Sequence, residues 1–267
     1  MSIYDSRLIL VYFCVVAAVL GAALGSFLNC AAWRIAHGES FLKGRSRCPA
    51  CGHALGARDL VPVLSWLLLR GKCRYCGEKV SPRYVLTELF FALVTLLCLL
   101  RFDLTVLCLR NYIFLCCLFC LSLVDLESYT IPDGCLLIAA GAWFLVLPFA
   151  GLGWGGIGLR VLAGLAFGGG LLLLSLIMDR VLKKESLGGG DIKLFAVVGL
   201  YLGFLASLFS LFLAAVLGLL FVLLRRGKGE ENGGQIPFGP SIAAAAGAML
   251  LYGGGVVNWY LGLFGAS

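Results

Sequence analysis

The sequence predicts an all-α polytopic membrane protein with about eight transmembrane helices and a small zinc-ribbon-like cytoplasmic loop between helices 1 and 2. Three observations carry this. Of 267 residues, 61% are hydrophobic and only 13% charged, against roughly 45–50% and about 25% in a soluble domain. The apolar residues fall in runs of about 17–25, the length that takes a helix across a bilayer. The runs also lack the polar–apolar alternation of a membrane barrel. An ordinary soluble enzyme and a disordered chain are excluded.

Charge orients the chain. The net charge is +7, from 21 Lys and Arg against 14 Asp and Glu. Ten basic residues lie between Arg34 and Arg83, four more are Arg180, Lys183, Lys184 and Lys193, and three are Arg225, Arg226 and Lys228. Only Arg7, Arg101, Arg110 and Arg160 lie elsewhere. Basic residues gather in cytoplasmic loops, so the three clusters face the cytoplasm. No basic module with interleaved aromatics stands outside the short loop, so a nucleic-acid partner is not expected.

The first run, Leu8 to Ala32, has only Arg7 before it and exceeds the usual 7–15 apolar residues of a signal peptide. It reads as a retained first span, 8–32, with its N-terminus outside. A polar loop follows over 33–83. Span 2 covers 84–100, and Arg101 to Asp103 is an outer turn. Span 3 covers 104–124 and gives way to a cytoplasmic turn, Asp125 to Thr130. Pro132 restarts the chain, and span 4 runs to 150. Gly151 to Gly158 form an outer loop, span 5 covers 159–178, and Asp179 to Gly190 form an inner loop. The 33 residues 192–224 are long for one span and short for two. Lys193 and Arg225 mark both ends as cytoplasmic, which predicts a hairpin of two short helices turning near Gly203 to Ser207. The last span covers 238–262 and leaves the C-terminus outside. Most of the 36 glycines serve close helix packing.

The loop carries Cys48-Pro-Ala-Cys51 and Cys73-Arg-Tyr-Cys76, two CxxC pairs separated by 21 residues, each followed by glycine. This is zinc-ribbon spacing. Cys48, Cys51, Cys73 and Cys76 supply the four thiolates that a tetrahedral Zn²⁺ takes, and a closed site of this kind is structural. Arg45, Arg47, Arg58, Arg70, Lys72 and Arg74 favour the thiolate form. Disulfides are the alternative, and a reducing cytoplasm argues against them. The other eight of the 12 cysteines lie in apolar spans and read as small hydrophobes.

Acidic residues in or beside spans are costly and point to function. Asp125 stands at the cytoplasmic end of span 3. Asp191 follows Gly188-Gly189-Gly190 and opens span 6 at the same depth. The two meet if spans 3 and 6 pack together, and the glycines let another helix or a substrate strand approach. Such a pair can activate water, one carboxyl taking its proton while the other donates to a carbonyl. Two plainer roles stand beside this: Asp191 as a helix N-cap, and Asp125 as the partner of an interfacial Lys or Arg. Glu127, Asp133 and Asp179 are assigned to pairing or capping.

Taken together the motifs resemble the bacterial type IV prepilin peptidases, the bifunctional leader peptidase/N-methyltransferases of the GxGD aspartic peptidase class. The matching pieces are Gly25-Ser-Phe-Leu-Asn29, the two CxxC pairs, Ser65-Trp66 with Arg70-Gly-Lys-Cys73, Asp125 to Asp133, Gly188-Gly-Gly-Asp191-Ile-Lys193, and Ile236-Pro-Phe-Gly-Pro240. They are ordered along nearly the whole chain. The resemblance implies that Asp125 and Asp191 are the catalytic pair of a transmembrane peptidase core, 84–267, with a methyltransferase-associated loop at 33–83. It implies prepilin or pseudopilin substrates, cleavage after a glycine, methylation of the new N-terminus from S-adenosylmethionine, and residence in the inner membrane. The GxGxxG nucleotide signature is absent, so the residues do not locate the cofactor pocket. Glu88, near the start of span 2, is either a polar contact for it or a paired interface residue. Against a small transporter stands the depth of the carboxylates, which lie at span ends and not midway. Against a zinc-loop scaffold stands the Gly188–Asp191 motif, which that reading leaves without a role.

Overall fold

The computed structural model describes residues 7–41, 44–183, 187–226, 237–263 and 265. Lys43, Lys184, Lys228 and Ile236, used in the reading above, lie outside them. The described residues form helices α1 (Arg7–Ala36), α2 (Leu64–Leu68), α3 (Arg83–Phe102), α4 (Val106–Ser128), α5 (Asp133–Val146), α6 (Trp154–Leu182), α7 (Gly189–Leu202), α8 (Phe204–Arg226) and α9 (Gly239–Gly262). Among them the only β pairings are two isolated bridges, Arg47 with Ala54 and Lys72 with Lys79. Six helices, α1, α3, α4, α6, α8 and α9, are long and apolar enough to cross a membrane. Helix α5, drawn out by a 3-10 turn to Phe149, is a shorter apolar helix. Helix α7 has 14 residues, about 21 Å at 1.5 Å per residue, which is short of a full hydrocarbon core of about 30 Å.

Three expected boundaries are corrected. Asp125 does not begin a turn: α4 runs on through it to Ser128. The Ser128 hydroxyl bonds back to the Val124 carbonyl at 3.0 Å, and the helix stops only at Tyr129, whose φ is +55°. The segment Gly151 to Gly158 is not wholly loop, because α6 starts at Trp154. At its other end α6 absorbs Asp179 and Arg180, and stops where Lys183 turns left-handed. Polarity marks where a chain meets water, which is not where its helical hydrogen bonding ends.

The chain divides into two compact units, Met1–Cys108 and Leu109–Ser267. Composition puts a boundary at 83/84, where the polar loop ends. Packing puts it one helix later, because α3 lies along α1. Glycine makes that contact: a Cβ on Gly25 would stand 2.9 Å from the Phe91 Cβ. Asn29 on α1 donates to the Thr87 hydroxyl on α3 at 3.2 Å.

In the second unit α6 and α7 touch backbone to backbone, and a Cβ on Gly199 would stand 2.6 Å from the Gly164 Cα. Tyr201, near the end of α7, stacks on Phe114 of α4 at 3.9 Å and donates to the Ala139 carbonyl of α5 at 2.8 Å. Arg160 of α6 donates to the Tyr201 carbonyl, so the end of α7 is capped by a neighbouring helix. The predicted break falls at Gly203, whose φ of +76° suits only glycine. Ser207, fully buried at the start of α8, then donates back to the Val198 carbonyl at 3.5 Å.

Candidate active site

The four loop cysteines converge. Their sulfurs all lie within 4.8 Å of one another, and Cys48 Sγ stands 3.9 Å from Cys76 Sγ. Four thiolates about 2.3 Å from one tetrahedral ion would be about 3.8 Å apart, so the cluster fits such an ion. Each knuckle is a tight turn closed by backbone bonds. Gly52 N–H reaches Cys48 O at 2.9 Å, Gly77 N–H reaches Cys73 O at 3.0 Å, and both glycines have φ near +70°. Cys48 and Cys73 are buried while Cys51 and Cys76 face outward.

The thiols differ in acidity. A hydrogen bond from the Cys51 backbone lowers Cys48 to about 7. At Cys76 the Glu78 backbone bond also lowers the thiol, but desolvation and the neighbouring Cys73, Cys51 and Cys48 outweigh it and push it up to about 12. Sulfurs this close do not all ionise without a cation between them. Asp59 braces the second knuckle by accepting from Arg74 Nε at 2.6 Å, Tyr75 OH at 3.0 Å and Gly56 N–H at 3.0 Å. The Arg74 bond, then the Gly56 N–H, holds its carboxyl below the ordinary value. The brace therefore contributes above that ordinary value and is lost as pH falls through the lowered one.

The two aspartates come from different helices to one end of the second unit. Asp125 lies in the last turns of α4 and is 5% exposed. Asp191 lies in the first turn of α7. Their surroundings interlock. A Cβ on Gly190 would stand 2.9 Å from the Ile131 Cβ, and Lys193 pairs with Asp133 at 2.8 Å. The N-cap of α7 is Gly188, so Asp191 does not have that plainer role. Asp125 Oδ2 accepts the Gly239 N–H at 2.8 Å, at the start of α9, and pairs with no cation among the described residues. Asp133 takes the pairing role expected of it, and Asp179 accepts from Ser175 at 3.4 Å.

Residues 19–102 match the bacterial peptidase A24 N-terminal domain, and residues 112–223 match the type IV leader peptidase family. The chain belongs to the type IV leader peptidase family. A prepilin leader peptidase/N-methyltransferase of Aeromonas salmonicida (strain A449) is 34% identical over 81% of this chain and 74% of its own length. One of Bacillus subtilis (strain 168) is 32% identical over 91% of this chain and 96% of its own. A type 4 prepilin-like proteins leader peptide-processing enzyme of Escherichia coli O78:H11 is 34% identical over 92% and 93%. No solved structure gives a significant match.

Within this leader peptidase fold, sequence reasoning missed Gly239. The Pro237-Phe-Gly-Pro240 motif entered only as a resemblance, yet it presents a backbone N–H to Asp125. A Cβ on Gly239 would stand 2.8 Å from Asp125 Oδ2 and 3.1 Å from its Cγ, too close for the carboxylate to keep its place. Phe238 is seated against Gly218 of α8, where a Cβ would stand 2.5 Å from its ring. Gly239→Ala is expected to lower kcat for leader cleavage by about 10²-fold, the scale of an ångström of misplacement at a reacting centre. Initial-rate kinetics with full-length prepilin would show it, with KM changed far less. Glu88, read from the sequence as either a cofactor contact or a paired interface residue, is 8% exposed and accepts the Val63 N–H at 2.7 Å. A buried acid early in a span was the available signal.

Proposed function

We propose that this chain cleaves the leader peptide of type IV prepilins or pseudopilins and N-methylates the new N-terminal residue, with S-adenosylmethionine as methyl donor. The observation that carries the reading is the family match of a helical unit that carries Asp125 in the last turns of α4 and Asp191 in the first turn of α7, with Gly190 packed on Ile131 beside them. Asp125 and Asp191 are the catalytic pair. One carboxylate takes a proton from water, the hydroxyl attacks the scissile carbonyl carbon, and the other carboxyl protonates the carbonyl oxygen. Collapse of that tetrahedral species breaks the C–N bond, and the amine leaves with the proton the base had taken. Asp125 Oδ2 already accepts the Gly239 N–H, so the proton shared by the pair sits on another of its oxygens.

Cys48, Cys51, Cys73 and Cys76 hold a structural Zn²⁺, which keeps the 33–83 loop in shape for the methyl transfer associated with it. The chain resides in the bacterial inner membrane with eight spans, α5 and α7 crossing as well as the six longer helices. The basic clusters and both aspartates face the cytoplasm, where prepilin leaders lie. A reporter fused near Ser207 is expected to read as external and one near Lys228 as cytoplasmic. The same side for both would remove the hairpin. The function itself is tested by incubating the purified chain in detergent with a synthetic prepilin and S-adenosylmethionine. Mass spectrometry should show loss of the leader and gain of one methyl group on the product, and an unchanged substrate contradicts the reading.

A further inference from the structure

In an otherwise polar loop, Leu60-Val-Pro-Val-Leu-Ser-Trp-Leu-Leu-Leu69 is one nearly unbroken apolar run. Burial does not account for it. Leu60, Val61, Leu64 and Leu67 are all more than two-fifths exposed, and Leu68 is 82% exposed. Leu64, Leu67 and Leu68 are spaced i, i+3, i+4 on α2 and so share one face. Trp66 turns the other way. Its ring lies over Gly71, where a Cβ would stand 2.9 Å from it, and its N–H donates to the Val80 carbonyl at 3.1 Å. One face of the run is thus fastened to the second knuckle and the other has no partner among the described residues of this unit.

Glu88 ties the run to the start of α3. Helix α3 is a membrane-spanning candidate that begins at Arg83, and Glu88 lies five residues along it, about 7.5 Å at 1.5 Å per residue. The Glu88 carboxylate accepts the Val63 N–H at 2.7 Å. The backbone is strained to make that bond. Val63 has φ +61° inside a tight turn closed by Leu64 N–H on Pro62 O at 2.6 Å, a conformation a β-branched residue rarely adopts. The run therefore lies beside the first turns of α3.

Beside the run opens a cleft of about 410 Å³ lined by Trp66, Arg70, Lys72, Lys79 and Ser81. It is cationic, and its lining reaches Pro82, the residue before α3 begins. We propose that Leu60–Leu69 lies in the membrane interface, with Leu64, Leu67 and Leu68 among the lipid chains and Arg70, Lys72 and Lys79 on the phosphates of anionic phospholipids. The occupant is lipid because the surface continues from a membrane-spanning helix and the neighbouring charge complements an anionic leaflet. The inference is independent of the chemistry proposed for the loop.

The test uses the full-length chain in nanodiscs, carrying a small fluorescent amino acid at Leu68 or, as a control, at the exposed knuckle residue Glu78. A nitroxide-labelled phospholipid and aqueous acrylamide serve as quenchers. The label at position 68 should be quenched by the lipid nitroxide and lose most of its acrylamide quenching, whereas at position 78 the pattern reverses. Phosphatidylglycerol in place of phosphatidylcholine should strengthen lipid quenching at position 68, and the pair Lys72→Gln with Lys79→Gln should remove that gain. Acrylamide quenching at position 68 equal to that at 78 overturns the proposal. So does protection from both quenchers, which would mean that protein covers the face.

Discussion

With Asp125 or Asp191 replaced by Asn, leader cleavage is expected to fall by roughly 10³-fold or more, within the range of about 10²–10⁴ that positioned acid–base groups supply. Asparagine is nearly isosteric, so the substitution tests proton transfer and not packing. At Asp125 the new amide oxygen can still accept the Gly239 N–H that now binds Oδ2, which keeps α4 and α9 in register. At Asp191 the N-cap is Gly188, so helix α7 does not depend on the charge for its start. Expression and membrane insertion should therefore match the parent. Glu127→Gln is the internal control, because Glu127 stands two residues from Asp125 and is assigned to pairing or capping; it should retain cleavage. A carboxyl pair that shares one proton titrates as a unit, so on this reading either single change should cost nearly as much as both together. Substantial cleavage by either Asn variant removes the assignment.

The second large effect is on the loop. Cys73→Ser should lower the bound zinc of the purified chain from about one equivalent toward zero, because one buried ligand of the four is lost and metal binding is part of the folding energy of such a site. Cys48, Cys51 and Cys76 should then become titratable with a thiol reagent. Cys117→Ser, a buried position on α4 outside the cluster, should leave the metal in place. Elemental analysis with thiol counting on the same sample makes the comparison. An unaltered chain with four reactive loop thiols and no metal after gentle purification contradicts the zinc reading.

The sequence was most legible where one constraint dominates. The cysteine spacing admits few geometries, and the structure closes the cluster as expected. The stretch 192–224 was read as a hairpin because charge marked both its ends alike, and its helix does break, at Gly203. Depth put Asp125 and Asp191 at one end of the chain's spans, and the resemblance, not depth, named them as a pair; the structure sets Asp125 in the last turns of α4 and Asp191 in the first turn of α7. What sequence did not convey was helix length at the polar ends. Ser128 and Asp179 look like loop residues but remain helical, because a hydroxyl bonded to its own helix or a carboxylate at the interface does not interrupt backbone bonding. It also did not show that α3 packs with α1, since that contact depends on which glycines face which side chains. Gly239 was hidden for a different reason. A glycine that donates its N–H across 114 residues has no side chain to suggest a role, and its short distance to Asp125 is visible only once α4 and α9 are placed.

On the proposed reading Asp125 and Asp191 of the 84–267 core cut the leader, and the 33–83 loop accompanies methyl transfer. The most direct measurement gives the Asp125→Asn and Asp191→Asn enzymes two substrates, an intact prepilin and the same pilin with its leader already removed, each with S-adenosylmethionine, and follows both by mass spectrometry. Neither variant should shorten the intact prepilin, while both should still add one methyl group to the pre-cleaved pilin at close to the parent rate. Cleavage of the intact prepilin by either variant, or loss of methylation on the pre-cleaved one in a well-inserted protein, would contradict it.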